Sequence, residues 1–250
     1  MNNQKTAIFT DFKYLTKRFL CSFTKANLVV FGYCYADDDF DYLCSNYQIS
    51  EFKKQGFKII ELLNDDFLEL INQYNISNVY SLKSFSQLDK LVKLCTNTII
   101  KDDTDLIKQA KQLLVDADIK EFKKITGFNY SFSGIVTLCN QLGRTINFPT
   151  ANILTNSTFV VKNGVYLVKV VIDHQQVRYG MGDSWVNRNN LMVFEANIFD
   201  FNKDIYSKHI SFELLEYIRE NQKINSLDQL VELIENDKKT CLNLLKESYE

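Results

Sequence analysis

The chain has 250 residues, 46% of them hydrophobic, 24% charged and 13% aromatic, which excludes intrinsic disorder and suits one large or two modest domains. Twenty-nine Lys+Arg against 31 Asp+Glu leave a formal net charge of −2, so there is no global attraction to nucleic acid or to an anionic membrane. No apolar run approaches the ~20 residues needed to cross a bilayer; the best, Asn27–Ala36, falls well short and is broken by Gly32.

The first residues lack the apolar segment of a signal peptide, so the cytoplasm is the expected compartment. Six scattered cysteines without a CxxC pair read as reduced, mostly buried thiols rather than a disulfide or zinc framework. Only two histidines occur, His174 and His209, which excludes a His-based triad or multi-His metal site from the first 170 residues.

In chain order, Lys5–Phe9 is a short apolar strand and Phe12–Phe23 an amphipathic stretch. Asn27–Cys34 (NLVVFGYC) has the β-branched and aromatic content of a buried parallel strand. A helical segment running to Gln55 precedes a strand at Phe57–Glu61 and a helix at Asp66–Gln73. A strand at Asn78–Leu82, a helix at Ser86–Leu94 and a strand at Thr96–Lys101 follow. Strands separated by helical stretches imply βαβ units and a parallel sheet. Asp105–Leu114 and Ile119–Thr126 lead out as two helices.

Beyond this point the period changes. Six of the eight glycines lie between Gly127 and Gly182. Phe132–Leu138, Gly164–Asp173, Gln176–Met181, Leu191–Phe199 and Ile205–Glu216 are β-rich. VYLVKVVID and VRYGM, joined through Asp173 to Gln176, form an antiparallel hairpin. Such strands predict a closed barrel. A C-terminal helix opens with a capping box, Ser226 with Gln229, and carries Leu227, Leu230, Val231 and Ile234 on one face. The expected organisation is a Rossmann-like parallel-sheet domain over residues 1–125 and a closed barrel of five or six strands with a terminal helix over residues 126–250.

The single proline, Pro149, lies in GRTINFPTANI. It fixes its own φ and presses Phe148 toward extended geometry. In an extended segment residues two apart face one side, so Thr150 and Asn152 can address one ligand. A hydroxyl and an amide carbonyl are neutral oxygen donors suited to a Mg²⁺ that also holds phosphate oxygens. On spacing alone, an ordinary turn followed by a barrel strand explains the same residues.

Downstream come Gly164-Val165-Tyr166, the run Phe194-Glu195-Ala196-Asn197-Ile198-Phe199-Asp200-Phe201, Asp204-Ile205-Tyr206, and Arg219 ahead of the final helix. This order resembles the riboflavin kinase module of bacterial bifunctional FAD synthetases, whose pattern is G-R-x-x-G-F-P-T-A-N, G-V-Y, E-x-H-I-F-D-F-x-x-D-L-Y-G and an Arg before the last helix. The likeness runs from about Ser133 to the C-terminus. It implies a six-stranded antiparallel Greek-key barrel that transfers the γ-phosphate of ATP to the 5′-hydroxyl of riboflavin, giving FMN. By that likeness Thr150 and Asn152 hold Mg²⁺ and phosphate, and Gly143 and Arg144 belong to the loop over the nucleotide phosphates. Pro149 and Arg219 complete the binding set, and Glu195 is the general base. A carboxylate in a surface ion pair is the alternative for Glu195; its place between Phe194 and Ile198 favours the barrel mouth.

The chain departs from the pattern at several positions. Asn147 stands where the family has Gly, and Asn197 where it has His. Gly182-Asp183-Ser184-Trp185-Val186-Asn187 replaces the N-I-G-x-x-P-T segment, so part of a substrate lid is expected to be remodelled. Trp185 is expected either to stack on a flavin or to pack on the barrel. In the family the first domain carries G-x-F-D-G-V-H-x-G-H, and here Phe9 to Arg18 has neither His nor Gly. A glycine-free turn cannot bring backbone amides close to a triphosphate, so FMN adenylyltransferase activity is expected to be lost. The rival readings are a non-catalytic flavin- or nucleotide-binding relative and a full FAD synthetase. Expected partners are riboflavin and ATP, with no nucleic acid or membrane, acting on a monomer.

Overall fold

The computed structural model describes residues 4–35, 41–137, 148–155, 161–188 and 192–248. The chain divides into two compact units: Met1–Leu113 with Glu121–Tyr130, and Leu114–Lys120 with Ser131–Glu250.

The first unit is built on five parallel strands: β1 (Lys5–Asp11), β2 (Leu28–Tyr33), β3 (Lys58–Glu61), β4 (Ile76–Leu82) and β5 (Ile99–Lys101), in the order β3-β2-β1-β4-β5. β1 and β2 are buried almost throughout because helices cover the sheet, which is why they read as continuous apolar runs. Phe9 stacks on Phe31 at 5.0 Å and meets the edge of Phe67 at 5.3 Å, joining the two central strands to a helix. The helices are α1 (Lys17–Leu20), α2 (Asn46–Lys54), α3 (Phe67–Gln73), α4 (Leu88–Leu94), α5 (Thr104–Val115) and α6 (Ile119–Thr126).

The amphipathic stretch Phe12–Phe23 is not one helix. A 3₁₀ turn at Phe12–Tyr14 gives way to the four-residue α1, which starts afresh at an N-cap where the Thr16 hydroxyl accepts from Phe19 N–H at 3.2 Å. Gly32 explains the break. A Cβ there would fall 2.3 Å from the Phe12 ring, so Phe12 is folded back onto β2 rather than carried forward on a helix. Where the strand order reverses, between β1 and β4, Asp11 accepts from Ser86 N–H and Ser86 Oγ, both at 2.9 Å.

The second unit is an antiparallel sheet of β6 (Ser131–Ile135), β7 (Ala151–Thr155), β8 (Gly164–Ile172), β9 (Gln176–Val186), β10 (Met192–Ile198) and β11 (His209–Arg219), followed by α7 (Leu227–Ser248). Its order is β6-β11-β8-β9-β10-β7. Strands β8, β9 and β10 meander, and β11 returns beside β8, which is the Greek-key arrangement. The cylinder closes through a bridge between Thr137 and Asn152, where Thr137 N–H donates to the Asn152 carbonyl at 2.8 Å. Phe132, Phe194 and Phe212 meet inside it at 4.8 to 5.6 Å. On the outside, Cys241 and Leu245 of α7 pack against Leu167, Met181 and Leu215. The capping box forms in part: Gln229 N–H donates to Ser226 Oγ at 3.2 Å, but Gln229 Oε1 accepts from Asn225 N–H, one residue before the cap, at 2.9 Å.

Segment Gly182–Val186 is strand, not a lid loop. β9 runs eleven residues and is paired on both sides, Gly182 with Tyr166 and with Ala196. Gly180 and Gly182 sit in this strand because the Asn197 carbonyl and the Phe194 ring each come within 2.4 Å of where a Cβ would be. The expected strand at Ile205–Glu216 begins only at His209, after a turn in which Ser207 has φ 60°. Among the described residues, no helix is long and apolar enough to cross a membrane, and Cys21, Cys44, Cys95 and Cys241 are free thiols.

Candidate active site

The proline bend delivers the chain to the first residue of β7. Pro149 has no N–H to offer a ladder, which suits a position just before a strand. Its carbonyl accepts from the Asn197 side-chain amide at 2.9 Å, pinning the bend to β10. Thr150 and Asn152 follow. The Asn152 amide donates to Thr150 Oγ1 at 3.2 Å and to the Thr150 carbonyl at 3.3 Å. The Thr150 hydroxyl donates in turn to Glu195 Oε2 at 3.4 Å.

Register explains why the three meet. Asn152 pairs with Glu195 across β7 and β10, and Glu195 pairs with Asp183 across β10 and β9. Directly opposed residues share a face of the sheet, so Asn152, Glu195 and Asp183 form a lateral polar row. The row continues through Val165 to Arg219 on β11. Met181, two residues before Asp183, packs against α7, so this is the outer face that the helix partly covers. Glu195 therefore does not point into the barrel; Phe194, its neighbour, does.

Burial raises the proton affinity of the Glu195 carboxyl, and hydrogen bonds from Thr150 and Trp185 oppose that rise. Asp183 is pushed up to about 6, first by burial and then by the charge of Glu195; Asn221 and Arg219 pull the other way. Two buried oxygens in the row, Asn152 Oδ1 and Asp183 Oδ1, have no hydrogen-bond partner.

A cavity of about 380 Å³ adjoins the row. Thr150, Ala196 and Ile198 form one wall, and the turn after β10 supplies Lys203, Asp204 and Tyr206. Ala196 and Ile198 alternate with Glu195 along β10, so cavity and carboxylate lie on opposite faces of that strand. Thr150 touches both. The sequence reading gave Lys203 no role, although it sits inside the motif ending in Asp204-Ile205-Tyr206; a lone exposed lysine carries no spacing signal.

Of the expected site residues, Pro149, Thr150, Asn152 and Glu195 come together. Gly143 and Arg144 lie outside the described residues. Arg219 sits three strand spacings from Glu195, roughly 14 Å along the row. Its Nε and Nη2 donate to Asp237 of α7 at 2.8 and 2.6 Å, and Nη1 donates to the Glu220 carbonyl at 2.8 Å.

The family model for riboflavin kinase matches residues 126–245. The chain is 32% identical over 211 residues to the trifunctional protein RibF/MnmA of Mycoplasmoides gallisepticum, covering 82% of this chain and 30% of that protein. It is 33% identical over 159 residues to the bifunctional riboflavin kinase/FMN adenylyltransferase of Bacillus subtilis, covering 61% of this chain and 49% of that one. The chain thus spans a third to a half of the length of these relatives. A solved structure titled as a macrolide-efflux protein from Streptococcus pneumoniae superposes with a TM-score of 0.71 at 23% identity, over 97% of this chain and 95% of that one, and shares its fold. Residues 126–245 hold the barrel, its proline bend and most of α7, and over that part the chain belongs to the riboflavin kinase family.

Proposed function

We propose that the chain is a Mg²⁺-dependent riboflavin kinase, transferring the γ-phosphate of ATP to the ribityl 5′-hydroxyl to give FMN and ADP. The observation that carries this reading is the meeting of Thr150, Asn152 and Glu195 at one point of the barrel wall.

The donor set fits a magnesium ion. Asn152 Oδ1 is buried without a partner. Thr150 Oγ1 spends its proton on Glu195 and one lone pair on Asn152, which leaves one lone pair free. Two neutral oxygens suit an ion that keeps several waters and phosphate oxygens. When bound, Mg²⁺ neutralises charge on the transferring phosphoryl group.

The chain's own residues do the rest. Lys203 at the cavity rim favours phosphate there. Glu195, on the opposite face beside the Trp185 indole, suits the flavin side, and Thr150 stands between the two. The ribityl oxygen forms a bond to Pγ while the bond from Pγ to the bridging oxygen breaks and ADP leaves with that electron pair. The hydroxyl proton passes to the Glu195 carboxylate. Phosphoryl transfer asks chiefly for positioning and charge neutralisation, which these groups supply. Gly143 and Arg144 are assigned to the nucleotide phosphates by the family pattern. Arg219 serves the site by fixing α7 over the polar row.

The first unit is read as having lost FMN adenylyl transfer. Its turn after β1 is free of glycine, and Asp11 bonded to Ser86 occupies the switch point where an open α/β sheet binds its ligand. Unpaired thiols such as Cys44 and Cys241, together with small-molecule substrates, suit a cytoplasmic enzyme. One incubation tests the reading: protein, riboflavin, ATP and Mg²⁺, with flavins resolved by chromatography. FMN alone is expected. FAD would overturn the assignment of the first unit, and unchanged riboflavin would overturn the kinase.

A further inference from the structure

Trp185 is the chain's one tryptophan and lies in the segment that departs from the family pattern. It pairs with Val193 across β9 and β10, which sets it diagonal to Glu195, while Asp183 stands directly opposite Glu195. Residues two apart on a strand share a face, so Asp183, Trp185 and Glu195 all project from the side turned toward α7. Diagonal neighbours are roughly 7–8 Å apart, within the reach of an indole. An indole N–H on that diagonal is within reach of the Glu195 carboxylate, and Trp185 opposes the rise in its proton affinity as a donor does.

Glu195 is thus flanked on both sides, by the Thr150 hydroxyl just ahead of β7 and by the indole on β9. Something must hold it. Asp183 puts a second carboxyl opposite, and like charges in that position repel. An indole has one donor, no acceptor and only two side-chain torsions, so it fixes direction at low entropic cost. Building on the kinase reading, we infer that Trp185 is a positioning residue, holding the Glu195 carboxylate toward Thr150 against the repulsion of Asp183. The strand that replaced the family's segment thereby carries part of the setting of the base.

The test uses the full chain and two readouts. In the first, Trp185→Phe keeps the aromatic bulk and removes the donor. It is expected to lower kcat for FMN formation roughly 10- to 100-fold, the scale on which small misplacements act. KM for riboflavin and for ATP should stay within about twofold, as for an interaction that matters in the transition state. Trp185→Gln, whose amide nitrogen is as many bonds from the backbone as the indole nitrogen, should recover a large part of the loss. The second readout needs no turnover: with a single tryptophan, Glu195→Gln changes the hydrogen-bond acceptor and should shift the emission of Trp185. Wild-type kcat in Trp185→Phe together with emission indifferent to Glu195→Gln would overturn the inference and leave the kinase intact. A wild-type chain that makes no FMN would overturn the kinase, and the emission comparison alone would then decide whether the indole holds Glu195.

Discussion

Arg219 on β11 and Asp237 on α7 form a two-pronged ion pair, with Nε and Nη2 at 2.8 and 2.6 Å from the two carboxylate oxygens. Asp237 is only 5% exposed, so removing its partner leaves a buried charge with nothing to balance it. Arg219→Ala should destabilise the second unit by about 3 kcal/mol, read by urea unfolding. Replacing both residues with apolar ones of similar size should restore most of that loss; if it does not, the guanidinium supports the fold by something beyond this pair.

Glu195→Gln removes the proton acceptor and keeps the shape. Turnover to FMN should fall by roughly 10²–10⁴, with riboflavin binding, followed by flavin fluorescence quenching, nearly unchanged. An unaltered rate would show that another group takes the proton.

Asn152→Ala should raise the Mg²⁺ concentration for half-maximal activity roughly 10- to 100-fold, the scale on which shell residues tune metal sites. The closing bridge uses the Asn152 backbone carbonyl, which the substitution retains, so the unfolding midpoint should move little. A magnesium dependence identical to wild type would dismiss the amide as a ligand.

Asp183 gives the second unit a pH signature. Its carboxyl is raised from 3.8 to about 6 in the folded chain, chiefly by burial and by the charge of Glu195. Between those values the folded chain binds more protons than the unfolded one, so the stabilisation is complete below pH 4 and is lost as pH rises through 6. The unfolding free energy should fall by on the order of 2 kcal/mol across that window. Asp183→Asn should flatten the slope there, measured by chemical denaturation at a series of pH values.

The alternation of short apolar strands with helices made the parallel sheet legible before any coordinates, and the β-rich second half made the barrel so, because periodicity reports which faces are buried. The proline bend was legible as a bend, since proline fixes its own φ, but its role as a site came from the likeness to the family pattern, because spacing alone suits an ordinary turn as well. What escaped was pairing. Asp183 and Trp185 look like loop residues between Gly182 and Asn187, and only the register of β9 against β10 sets them beside Glu195. The same blindness put Glu195 on the wrong face: its apolar neighbours suggested an inward direction, whereas Phe194 and Ala196 take the interior and α7 roofs the polar row outside. Phe12 was grouped into one amphipathic stretch with Phe23 because its packing partner, the bare backbone at Gly32, has no side chain to announce it.

The hoop of strands is fastened end to end at Thr137 and Asn152, and the buckle is the residue assigned to the metal. A cargo that grips Asn152 therefore tightens the belt as well as filling the site: the amides of β6 and β7 should exchange with deuterium more slowly in the loaded protein, and product departure and slackening of the hoop become a single event.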